Sequence, residues 1–116
     1  MKDVSAIEER IWSILEPYGD RLEKSTIYNI PSLKWPGANA HEYFAAVKGG
    51  KNAVSLYVLV ADTYPEAIEG TSPPLLKRRT GKATFSFPTL DDEMAADLEA
   101  LIARLFERYE ADHRSR

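Results

Sequence analysis

Glu42-Tyr43-Phe44-Ala45-Ala46-Val47-Lys48-Gly49-Gly50-Lys51-Asn52-Ala53-Val54-Ser55-Leu56-Tyr57-Val58-Leu59-Val60 is the stretch on which the fold class turns. Two largely apolar runs, Glu42 to Val47 and Ala53 to Val60, flank a short polar segment that holds paired glycines. Glycine enters the left-handed region at little cost, so Lys48 to Asn52 predicts the positive-φ turn of a β-hairpin. In the second run Val54, Leu56, Val58 and Val60 share one face, while Ser55, Tyr57 and Leu59 share the other. That other face is itself partly apolar, so both faces of the strand are expected to be covered.

Helical periods bound this strand region on either side. Val4, Ile7, Ile11, Trp12 and Leu15 recur at helical spacing. Ser5 followed by Glu8 has the form of a capping box, and Pro17 ends the helix near Leu15. At the C-terminal side Met94, Leu98, Leu101, Ile102, Leu105, Phe106 and Tyr109 form a stripe of spacing 4-3-1-3-1-3. Asp91, Asp92 and Glu93 stand at its start, where the helix dipole favours negative charge. Residues after Glu110 are expected to fray. The terminal helices should bury Trp12, Leu98, Leu101 and Leu105 together.

Shorter signals fill the middle. Thr26 to Ile30 reads as a strand, with Pro31 at its end or at a sheet edge. Ser32 to Ala40 reads as a loop carrying Trp35. Tyr64 to Glu69 suggests a single helical turn closed by Gly70, and Ser72-Pro73 suggests an N-cap and first position of a short helix. Ala83 to Phe87 alternates as a strand. The expected fold is therefore α+β: a mostly antiparallel sheet of about four to five strands, with the N- and C-terminal helices packed on one face.

The chain has 116 residues, 44% hydrophobic and 28% charged, and a formal net charge of −3. That length fits one domain, here residues 1–116. The acidic balance argues against nucleic acid as a partner, because such binding rests on many cation–phosphate contacts. With no cysteine, disulfides, thiolate metal sites and cysteine nucleophiles all fall away. Acids occupy the N-terminal stretch where a signal peptide needs an apolar core, and the longest apolar run is far too short to span a bilayer. A cytoplasmic location without membrane attachment is the expectation, as a monomer or homodimer.

No catalytic signature is present. His41 and His113 are far apart in sequence and form no zinc-type pair. Glu8, Glu9 and Asp91 to Glu93 are hard-oxygen groups of the kind that suit iron, magnesium or calcium, and equally the acids of helix caps and solvated faces. Lys77, Arg78, Arg79 and Lys82 place four cations within six residues, beside the strand that ends at Phe87. Tyr28 and Trp35 flank a proline-stiffened loop and are candidates to line a cleft, with Arg79 or Lys82 as the polar partner of an anionic ligand.

Several motifs resemble one family. Thr26-Ile27-Tyr28-Asn29-Ile30-Pro31 looks like the tyrosine-x-x-proline strand of the YdhG-like domains, a bacterial family of unknown function. Gly81-Lys82-Ala83-Thr84-Phe85-Ser86-Phe87 is similar to that family's glycine–lysine and aromatic strand, and Ser72 to Arg79 to the serine–proline helix before it. The chain departs from the pattern at Asn29, where the family has glycine, and in a shorter N-terminal region. The resemblance implies a frataxin-like fold, and it brings iron as a possible cargo because some relatives are described as iron chaperones. An acidic ridge would be needed for that, and the first helix offers only Glu8, Glu9 and Glu16. The function expected is a non-catalytic binding module for a small anionic ligand or a partner protein, with an iron-binding chaperone as the alternative and an enzyme third.

Overall fold

The apolar stripe of the C-terminal segment becomes α4 (Asp92–Arg114) in the computed structural model, which describes residues 4–114. All seven residues of that stripe are buried. Asp91 caps the helix, accepting a hydrogen bond from the Met94 amide at 2.8 Å. Through Arg114 the expected fraying after Glu110 does not occur, and residues 115–116 lie outside the described residues. The His113 ring lies 4.1 Å from that of Tyr109, and its side chain is only 7% exposed, so the last turn has a packing partner.

α1 (Val4–Leu15) ends where Pro17 requires, and a 3-10 turn, Glu16–Tyr18, follows it. The helix already includes Val4, so Ser5 lies within it and is not its cap. Its buried residues are Ile11, Ile14 and Leu15. Trp12 is only partly buried, at the margin of the core that was expected to enclose it.

Among the described residues the sheet has six strands: β1 (Glu23–Ile27), β2 (Ile30–Lys34), β3 (Tyr43–Gly49), β4 (Val54–Tyr57), β5 (Arg79–Gly81) and β6 (Thr84–Phe87). Their spatial order is β1-β2-β3-β4-β6-β5, with every neighbouring pair antiparallel. The α+β class holds, with the two terminal helices on one face. The expected single strand over Thr26 to Ile30 is instead the end of β1, a two-residue turn and the start of β2. Tyr28 (φ 51°) and Asn29 (φ 64°) make that turn, both in the left-handed region that such a hairpin demands. β2 therefore occupies the first third of the segment expected to be a loop, Ser32 to Lys34.

β3 and β4 pair as expected, but their turn works differently. Neither Gly49 nor Gly50 has positive φ; Gly50 is needed for close approach to backbone instead, while Gly49 lies against a movable side-chain end. A Cβ at Gly50 would stand 2.9 Å from the Ala53 carbonyl oxygen, and one at Gly49 would meet the Glu8 carboxylate of α1 at 2.8 Å. β4 also stops at Tyr57. Leu59–Thr63 turns into α2, burying Val60 and Ala61, and the apolar run alone could not separate these two outcomes. The expected turn after Tyr64 is a 3-10 turn, Pro65–Ile68, and Gly70 follows at φ +85°. α3 (Pro73–Leu76) begins after Ser72, whose hydroxyl bonds Asp97 at 2.7 Å and leaves its own helix uncapped.

Leu33, Ala45, Val47, Val54, Leu56, Phe85 and Phe87 form the buried sheet face, against Ile11, Leu98, Leu101, Ile102 and Leu105 of the helices. The other face bears Ser55, Tyr57, Thr84 and Ser86, all partly exposed.

Candidate functional site

A bulge creates the most site-like feature of that second face. Leu33 stands opposite Ala45, but Lys34 stands opposite Tyr43, so Phe44 is an extra residue in β3. Without it, Tyr43 and Ala46 would point to opposite faces. With it, Phe44 and Ala45 both enter the core, and Phe44 meets Phe106 at 5.3 Å between ring centroids. Tyr43 and Ala46 are then released to the same side, where Ala46 pairs with Tyr57 of β4.

Here a hollow of about 370 Å³ opens, lined by Ile27, Tyr28, Ile30, His41, Tyr43, Ala46, Tyr57 and Leu59. β1 packs on the 3-10 turn Ala40–Glu42, and this brings the β1–β2 turn back over the sheet. The Tyr28 and His41 rings meet edge-on at 5.8 Å and form one rim. The floor is apolar, with Ala46 and Ile27 almost wholly buried. Three phenol hydroxyls and one imidazole are the polar groups of this lining. Burial pushes the Tyr43 phenol above its usual range, with Tyr57 and Tyr28 nearby adding to the effect. At neutral pH it is therefore a neutral hydrogen-bond donor and acceptor.

Tyr28 stands out twice. It is 79% exposed, and its backbone sits in a region that costs a non-glycine residue about 1–2 kcal/mol. Backbone strain at an exposed aromatic on the rim of a concavity is the kind of outlier that marks binding sites.

The four candidate ligand residues do not share one pocket. Tyr28 lines the hollow, but Trp35 packs elsewhere, its ring 5.8 Å from that of His113. Arg79 and Lys82 belong to β5 and the turn after it, at the opposite sheet edge from β1. Five strand spacings of about 4.8 Å put that edge roughly 24 Å away. The Arg79 guanidinium donates to the Lys82 carbonyl oxygen at 2.6 Å, closing its own β-turn. Residues missed in the sequence are His41, Tyr43, Ala46 and Tyr57. Only Tyr57 carried a signal, as an aromatic on the polar face of its strand.

The carboxylates expected to suit a metal are dispersed. Asp91 caps α4, Asp92 is ion-paired with Arg10, and Glu8 lies against Gly49. Among the described residues no group of three or more His, Asp or Glu side chains is placed to hold a metal ion. His113 is held by its own helix and faces one carboxylate. Its Nδ1 lies 3.0 Å from the Tyr109 carbonyl oxygen, which can only accept, so Nδ1 carries the proton. Its Nε2 faces Glu42 at 4.0 Å. The cavity beside it holds only about 100 Å³. A larger groove of about 650 Å³ runs between α1 and β1–β2, walled by Trp12 and Leu33, with Glu9, Glu16 and Lys24 along it. Its charged lining is two acids and one lysine.

No protein-family model, no curated protein and no solved structure matches the chain. No helix among the described residues is long and apolar enough to cross a membrane.

Proposed function

We propose that this protein is a non-catalytic binding module whose ligand site is the hollow on the sheet face opposite the helices. The observation that carries this is the convergence of Tyr28, Tyr43, Tyr57 and His41 over the apolar floor of Ala46 and Ile27. A concave apolar surface with a few convergent polar groups is the ordinary form of a small-molecule site. Because the lining has no carboxylate and no permanent cation, the part of the ligand that enters is flat and mostly apolar, oriented by hydroxyl and imidazole hydrogen bonds. Tyrosine suits this task, since it offers a rigid surface at small entropic cost.

Membership in the YdhG-like family fits the same picture and remains part of the proposal. Position 29, where that family has glycine, adopts φ 64°, and asparagine is the side chain that best tolerates such a backbone. The iron-chaperone alternative has less support, because the acids that would bind iron are dispersed among caps and ion pairs.

Titration of the isotopically labelled protein with small neutral ring compounds such as indole and adenine tests the site. Amide signals of Tyr28, His41, Ala46 and Tyr57 should move together, and Tyr57→Ala should weaken binding at least fivefold, as loss of one stacking ring implies. Shifts confined to the α1 groove, or none at all, would remove the hollow as the ligand site.

The rim makes a second, opposed prediction. Tyr28→Asn combined with Asn29→Gly installs the preferred pair for this turn, relieving about 1 kcal/mol of backbone strain. The melting temperature should rise by a few degrees while ring binding weakens. A variant that is both less stable and equally able to bind would show that Tyr28 serves the turn alone.

A further inference from the structure

Beside the hollow, the strand registers draw a polar row across the same sheet face. Lys48 of β3 pairs with Ser55 of β4, and Ser55 pairs with Ser86 of β6. The Ser86 amide donates to the Arg78 carbonyl oxygen at 2.7 Å, which sets Arg78 opposite Ser86 just ahead of β5. The flanking residues fix the direction of these side chains. Val47, Val54, Leu56, Phe85 and Phe87 all enter the core, so Lys48, Ser55 and Ser86, which alternate with them, face outward. Side chains directly opposite across a strand pair stand about 5 Å apart. Two outward-facing hydroxyls thus lie in one row between the Lys48 and Arg78 positions.

Both cations lack a counter-charge. Among the described residues neither Lys48 nor Arg78 forms an ion pair, and the Arg78 Nε is buried without a hydrogen-bond partner. The Arg79 Nε is likewise buried without a partner, but the Arg79 guanidinium donates through its terminal nitrogen to the Lys82 carbonyl oxygen. The row also adjoins the hollow. Ser55 and Tyr57 are two residues apart on β4, about 7 Å.

We infer that Lys48, Ser55, Ser86 and Arg78 form an anion subsite next to the hollow, and that the ligand is a flat ring bearing a phosphate, of the nucleoside monophosphate class. The inference rests on the hollow as the ring site. The ring stacks at Tyr57 over Ala46, and the phosphate oxygens take hydrogen bonds from the serine hydroxyls and charge-assisted ones from Lys48 and Arg78. A flat ring and a phosphate separated by a sugar span the distance between the two subsites.

Calorimetric and amide-shift titrations with adenosine, adenosine monophosphate and inorganic phosphate separate the two claims. The monophosphate should bind at least tenfold tighter than adenosine at low salt, with shifts at Ser55 and Ser86 in addition to Tyr57. Raising the ionic strength should shrink that advantage, because exposed cations are screened. Lys48→Gln with Arg78→Gln should bring the monophosphate down to the affinity of adenosine, with the melting temperature confirming the fold. Lys48→Arg should retain most of the advantage. If adenosine and its monophosphate bind equally, the anion subsite is overturned and the hollow stands. If phosphate alone binds the serines without competing with the monophosphate, the two subsites do not serve one ligand and the inference falls. If neither these compounds nor neutral rings perturb the hollow, both claims fall together.

Discussion

Replacing Leu101 by alanine should lower the unfolding free energy by about 2–5 kcal/mol, the range for a fully buried leucine whose site collapses only partly. Leu101 has no exposed surface and lies in the same buried cluster as Ile11, Val47, Leu56 and Phe85. The cluster joins both terminal helices to one sheet face, so a cavity there weakens every layer at once. For a chain of this length the melting temperature should fall by roughly 10–20 °C. Urea unfolding is the cleaner measure: the midpoint should drop with the slope unchanged, since the surface exposed on unfolding hardly alters. Glu99→Ala, exposed on the outer side of the same helix, should stay within about 0.5 kcal/mol of the parent. A Leu101→Ala loss below 1 kcal/mol would mean that α4 does not seal the core.

That helix was legible because its period is long and unbroken. Seven apolar residues over four turns leave one face to bury and no competing assignment. The β3–β4 hairpin was legible for a similar reason, through its alternation. What failed was short and local. β2 contains Pro31, which pointed to a strand end, yet its pairing to β3 begins only at Ser32. The Tyr28–Asn29 turn lacks the glycine that usually announces a left-handed backbone, so two strands looked like one. β5 has three residues and offers no period at all. The candidate site depended on the least legible feature, one extra residue in β3. A run such as Tyr43 to Val47 is apolar on both faces and does not say where a bulge falls. Tyr28 could be singled out as an aromatic flanking a proline-stiffened loop, whereas of its partners on the hollow only Tyr57 carried any signal.

Tyr109→Phe should cost about 2–3 kcal/mol, well above the effect of an ordinary surface hydrogen bond. The Tyr109 hydroxyl accepts from the Trp35 amide at 2.8 Å and donates to the Glu42 carbonyl oxygen. One buried side chain of α4 thereby holds both the segment leaving β2 and the segment entering β3. Phenylalanine preserves the ring contacts to Phe44 at 5.3 Å and to His113 at 4.1 Å, so the change isolates the hydroxyl. The Trp35 amide then loses its acceptor in a partly buried place, and a stranded donor costs its desolvation. Hydrogen exchange at that amide should accelerate at least tenfold while exchange within β4 follows global stability alone. Glu42 directly precedes Tyr43 and follows His41, both of which line the hollow. Loosening its carbonyl should therefore weaken ring binding as well, although Tyr109 lies on the core side of the sheet. A variant as stable as the parent, with the Trp35 amide equally protected, would show that α4 does not position the entry to β3.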